Sequence, residues 1–109
     1  MARQRVLSPG LVAVLEAIGS GYSYGFDIMD YTKLPSGTVY PALSRLQQLG
    51  FARSDWEPQE IAASEKRPPR RYYSITAAGR RALLQAADYY RALGERLPVR
   101  PDGVEPSRA

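Results

Sequence analysis

The sequence contains no cysteine and no histidine. Without cysteine there is no disulfide framework and no thiolate metal site, and without histidine the commonest general base is missing. Ser-x-x-Lys does not occur, the one Gly-x-Ser-x-Gly match, GYSYG at 21–25, has no histidine in the chain to complete a triad, and Ser36 or Ser44 would likewise have to act as a nucleophile with no imidazole base. No apolar run approaches the ~20 residues needed to cross a bilayer. The opening MARQRVLSPG also lacks the apolar segment of a secretory signal. These absences point away from an enzyme, a metal or cofactor carrier and a membrane protein, and towards a cytoplasmic one.

Acidic residues are also missing from two particular stretches. None occurs from Lys33 to Ser54, and none from Lys66 to Arg81, where Lys66, Arg67, Arg70, Arg71, Arg80 and Arg81 are gathered. The net charge of +4 is modest; its clustering is what suggests a polyanionic partner. At 109 residues the chain holds one compact domain and an extension.

The pattern of the chain fixes the kind of domain. Ser8 as cap and Pro9 at the first helical position open a helix over 8–19, with Leu11, Val14, Leu15 and Ile18 at helical spacing. A shorter helix over 22–32 follows, with Tyr24, Ile28 and Met29 inward. In SGTVYPALSRLQQLG, Ser36 is the expected N-cap of a third helix with an inward stripe of Val39, Leu43 and Leu46, ending at Gly50. Pro41 then falls in the second turn, where it removes a single backbone bond. The segments 51–57 and 70–76, rich in aromatic and β-branched residues, read as a two-stranded hairpin with a long tip. Thr76 caps a last helix over 77–97. The tail from 98 to 109 is rich in proline and polar residues and is expected to be disordered.

The expected fold is therefore mainly α with a small β-hairpin: a winged helix-turn-helix over 1–75, a C-terminal dimerisation helix over 76–97 and a tail. In that fold the third helix enters the DNA major groove and the hairpin, the wing, touches the flanking backbone. The face opposite Val39, Leu43 and Leu46 carries Ser36, Thr38, Tyr40, Pro41, Ser44, Arg45 and Gln48. Hydroxyls at a helix N-terminus suit phosphate, and Arg45 is the expected reader of a guanine edge. Tyr40 has a second use, packing its ring against the second helix, and Gln47 and Gln48 read as solvated. Lys66 and Arg67 at the wing tip, with Arg70 and Arg71 on the returning strand, are expected backbone contacts. Because strand side chains alternate, Arg70 and Arg71 are expected on opposite faces. A winged helix that binds protein and not DNA is the alternative.

Leu83, Ala86, Tyr90, Leu93 and Leu97 step along the last helix by 3, 4, 3, 4, the spacing of a heptad seam. A helix of that length projects beyond so small a domain, so a second copy is the expected cover, offering its own last helix and its first helix around Leu11 and Leu15.

GYSYGFDI (21–28), SGTVYPALSRLQQLGF (36–51) and RPPRRYYSITAAGRRAL (67–83) together resemble the PadR family of bacterial winged-helix regulators, in its short form with one C-terminal helix. The resemblance implies a homodimeric repressor of double-stranded DNA with a pseudo-palindromic operator, released by a small molecule. It carries DNA contacts onto Thr38, Tyr40, Arg45 and 66–71. Some short members hold planar aromatic compounds between subunits with a tryptophan of the last helix. Here the one tryptophan, Trp56, lies on the hairpin, and Tyr89 and Tyr90 stand on the last helix as candidate effector contacts.

Overall fold

The computed structural model describes residues 6–98. Its elements run α1 (Pro9–Gly19), α2 (Gly25–Thr32), α3 (Ser36–Gln48), β1 (Ala52–Trp56), α4 (Gln59–Ser64), β2 (Arg71–Ile75) and α5 (Ala77–Arg96). This is a winged helix-turn-helix followed by a long helix.

The helix ends explain the sharp corners. Ser8 caps α1 through its hydroxyl, which accepts from Leu11 N–H. α1 closes in a Schellman motif: Tyr22 N–H reaches Ala17 C=O at 3.0 Å and Gly21 takes φ +100°. The same device ends α3, where Phe51 N–H bonds Leu46 C=O at 2.9 Å and Gly50 sits at φ +78°. The start of α3 differs from expectation. Val39 N–H bonds Pro35 C=O, which makes Pro35 the N-cap and leaves Ser36 as the first helical residue with no capping bond. Proline supplies the extended backbone a cap needs, so no side-chain cap is used. Pro41 lies exposed in the second turn, where water can satisfy the carbonyl that its missing N–H leaves free.

Val14, Leu15, Ile18, Ile28, Val39, Leu43 and Leu46 form the core, with Leu7, Ala52 and Tyr73 sealing it. Leu15 is fully buried there, so it is unavailable to a second copy; Leu11 remains partly exposed on the same helix.

β1 and β2 pair antiparallel in the register Ala52↔Ile75, Ser54↔Tyr73, Trp56↔Arg71. Tyr24 adds a single bridge to Tyr72, so β2 is flanked on both sides and β1 is the free edge. The hairpin tip contains a helical turn, α4, which the sequence reading missed. It ends with Lys66 in the left-handed region at φ 55°.

The first half of α5 is built into the core. Gly79 lies so close to β1 that a Cβ there would come within 2.1 Å of Phe51 C=O, and Leu83 packs beside Gly19. Ala86 is buried within its own chain, and Tyr90 donates a 2.6 Å hydrogen bond to Leu7 C=O. Both therefore have partners inside the protomer, contrary to their assignment to the seam. Leu93 is half-buried and Leu97 is 55% exposed.

Candidate nucleic-acid interface

α3 buries Val39, Ala42, Leu43 and Leu46 and turns Gly37, Pro41, Ser44 and Gln48 outward. Tyr40 and Arg45 flank this face on opposite sides, roughly 140° apart at 100° per residue. Tyr40 leans towards the wing. Its hydroxyl and ring lie over Gly25 at the start of α2, where a Cβ would meet the hydroxyl at 2.8 Å. It packs against α2 and still keeps half its surface exposed. Arg45 leans the other way, where Thr38 also stands near the start of α1, and its Nη1 donates to Gln48 Oε1 at 3.4 Å.

Between α3 and the wing lies a hollow of about 280 Å³ lined by Tyr24, Gly25, Tyr40, Tyr73 and the segment Arg67–Arg71. No acidic residue lines it. Arg70 and Arg71 both border it, against the expectation from strand alternation. Arg70 precedes the first residue of β2 and is not bound by the strand's two-residue period. Its guanidinium lies 4.3 Å over the Tyr24 ring, and its Nε is buried with no partner. Arg71 Nε donates to Ser54 Oγ at 2.9 Å, and Gln47 of α3 donates to the same oxygen at 2.8 Å. Gln47, read from sequence as solvated, thus ties α3 to the wing.

Arg67 has a different role. Its guanidinium is paired with Glu57, Nη1 to Oε1 at 2.5 Å and Nη2 to Oε2 at 3.0 Å. Arg70 N–H and Tyr72 O–H complete the carboxylate's shell, and Glu57 is only 7% exposed. The Arg67 hydrogen bonds, helped by those of Arg70 N–H and Tyr72, hold the Glu57 carboxyl down to about 2 against partial burial. Arg67 is therefore a strut of the wing, its charge neutralised, whereas Lys66, Arg80 and Arg81 are exposed.

This hub predicts an acid response. The folded pKa is lowered from 4.5, so Glu57 contributes stability above pH 4.5 that is lost as pH falls from 4.5 towards 2. Glu57→Gln should flatten the stability profile across that window in acid titrations followed by circular dichroism. It should also lower stability at neutral pH, because the Arg67 charge is left unpaired. An unchanged acid limb would show that the pair does not hold the wing.

On the far side of α3 a second hollow, of about 610 Å³, opens between α1, the end of α3 and α5. Leu7, Leu11, Leu49, Phe51, Ala82 and Ala86 line it, with Ser8, Arg45 and Gln85 as polar groups. Tyr89 and Tyr90 do not line it; they pack edge to face with centroids 5.1 Å apart. Among the described residues no group of acidic side chains could hold a metal, and no helix is long and apolar enough to cross a membrane.

The model of the PadR-like family of transcriptional regulators matches residues 14–85. The chain belongs to that family, whose members are DNA-binding regulators of transcription and not enzymes. No curated protein matches the sequence. A PadR-like transcription factor from Bacteroides fragilis is 26% identical, with a TM-score of 0.66 over 78% of this chain and 82% of that one. A PadR family regulator from Clostridium difficile gives 0.69 at 19% identity, covering 81% and 93%. BpsR of Bordetella bronchiseptica, whose DNA binding is regulated by 6-hydroxynicotinic acid, gives 0.71 at 14% identity, covering 94% and 74%.

Proposed function

We propose that the protein is a cytoplasmic, homodimeric repressor that grips a pseudo-palindromic operator with α3 in the major groove and the wing on the flanking backbone. The observation that carries this reading is the hollow beside α3, where Tyr40, Arg70 and Arg71 converge with no carboxylate among them. A phosphate seated there would meet hydroxyl and guanidinium donors together, the groups that DNA-binding proteins turn to the backbone. Ser36, Thr38 and Ser44 extend the donor surface along the exposed face of α3, and Lys66 extends it on the wing.

Selection of bound duplexes from a random pool, followed by salt titration, tests this. A protein that neutralises several phosphates loses affinity steeply with salt. Arg45→Ala should cost about 1 to 3 kcal/mol and relax discrimination at one base pair per half-site. Arg71→Ala should weaken all sequences alike and lower the salt slope by about one. Failure to select any duplex would favour a protein-interaction module. Equal losses on every sequence for Arg45→Ala would make Arg45 a phosphate contact.

A small aromatic molecule is the proposed release signal. The apolar hollow beside Leu11, Phe51 and Ala86 is a better seat for it than Tyr89 and Tyr90, because it has walls, room and a few polar groups. Its mouth borders the exposed part of α5, so a dimer partner would close it. BpsR supplies the precedent for control of this kind. Aromatic acids added to the same DNA titration are the direct check.

A further inference from the structure

Trp56 is the chain's one tryptophan and is 67% exposed at the outer end of β1. Nothing in the protomer's core uses it. Tryptophan is among the residues most enriched where proteins meet other molecules. Its position says which. In the hairpin register Ala52, Ser54 and Trp56 share a face with Ile75, Tyr73 and Arg71. That is the face turned to the helices, since Ala52 and Tyr73 are buried and Ser54 accepts from Gln47 of α3. Trp56 lies two residues beyond Ser54, about 6.6 Å further out along the strand. Trp56 pairs across the hairpin with Arg71, which borders the hollow beside α3, so the ring stands next to the arginine that faces the proposed DNA surface.

The surroundings of the ring favour a polyanion. The Arg71 guanidinium sits 5.6 Å from its centroid, within cation–π range, and Arg71 is itself oriented by Ser54. Of the two neighbouring acids, Asp55 belongs to the opposite face of the sheet, and Glu57 is buried and paired with Arg67. The exposed end of α5 is a poor alternative, because α5 joins the wing at Phe51 and Gly79, at the other end of β1.

We propose that Trp56 is a DNA-contacting residue, laying its ring on the sugars and backbone that flank the groove occupied by α3 while Arg71 takes the adjacent phosphate. This rests on the DNA-binding reading above. It adds an uncharged contact to an interface otherwise built from cations and hydroxyls, and it makes the protein its own optical probe, because Trp56 alone absorbs at the red edge of protein absorption.

The test uses a fluorescently labelled duplex chosen from the random pool, with binding followed by anisotropy and Trp56 emission recorded on the same samples. Emission should change in step with anisotropy and saturate at the same ratio. Trp56→Ala should weaken binding about tenfold, the scale of one lost aromatic contact to nucleic acid, and leave the salt slope unchanged. Trp56→Phe should recover most of the loss. Far-UV circular dichroism of both variants should match the unaltered protein, since so exposed a side chain contributes little to the fold. Binding seen by anisotropy with unmoved emission, or Trp56→Ala binding like the unaltered protein, overturns the proposal and spares the DNA reading. If no duplex binds at all, that reading falls and this proposal falls with it.

Discussion

Gly79→Ala should cost about 2–3 kcal/mol of stability, while Gly94→Ala in the same helix should gain up to about 1 kcal/mol. Alanine is the better helix former by roughly 1 kcal/mol at an ordinary helical position. At Gly94 nothing lies within 4 Å of the added methyl, so only that gain operates. At Gly79 the methyl would lie 2.1 Å from Phe51 C=O and 2.9 Å from Ile75 Cγ1. A backbone oxygen cannot swing away as a flexible side chain can. α5 must back off from the start of β1, which opens the contact of Leu83 with Gly19 and loosens the anchored bond of Thr76 Oγ1 to Gly50 C=O. Overpacking of this kind costs about 1 to 3 kcal/mol and occasionally more. For a domain of this size the melting temperature should fall by roughly 10 to 20 °C. Thermal melts of the two variants check the sign at each position; a Gly79→Ala protein as stable as its parent would mean that α5 does not press on β1 this closely.

That contact also shows where sequence reading stops. Gly79 belongs to a recognisable stretch, Tyr73 to Gly79, but the reason for a glycine there is a carbonyl 28 residues earlier in the chain. Apolar spacing was enough to find α1, α2, α3 and α5, and capping placed the starts of α1 and α5, whereas α2 begins at Gly25 and not at residue 22, and α3 is capped by Pro35 and not by Ser36. α4 escaped because six residues between prolines cannot display a 3.6-residue period. The hairpin was legible from its aromatic and β-branched strands, and the placing of its arginines was not. Arg67, Arg70 and Arg71 look alike in sequence. One is neutralised by Glu57, one lies over Tyr24 with a buried Nε, and one is aimed by Ser54. Those differences arise from partners brought close only by the path of the wing. The bond from Tyr90 to Leu7, 83 residues away, corrected the seam in the same way.

With Ala86, Tyr90 and Leu15 accounted for inside the protomer, the apolar surface open to the proposed second copy is smaller than the heptad spacing implies, and it lies elsewhere. It consists of Val6, Leu11 and Leu49 around the mouth of the larger hollow, and Tyr89, Leu93 and Leu97 along α5. Leu93 stands in the middle of the α5 group, one turn from Tyr89 and one from Leu97. At 1.5 Å per residue α5 is about 30 Å long, and the contacts that pin it to the core, at Gly79, Leu83, Ala86 and Tyr90, lie in its first fourteen residues. Replacing Leu93 with glutamate should place two charges, one from each protomer, in an apolar interface where burying each leucine is worth about 1.5 to 3 kcal/mol. The expected product is a monomer by sedimentation, with the wing domain still folded by circular dichroism, since Leu93 lies beyond the core. A monomer must hold one half-site without the avidity of the pair, a loss of about 10² to 10⁴ in affinity. Operator binding should therefore suffer far more than from any single change on α3 or the wing. A Leu93→Glu protein that stays dimeric and binds its operator normally would move the interface off α5 and leave Leu11 on α1 as the main candidate.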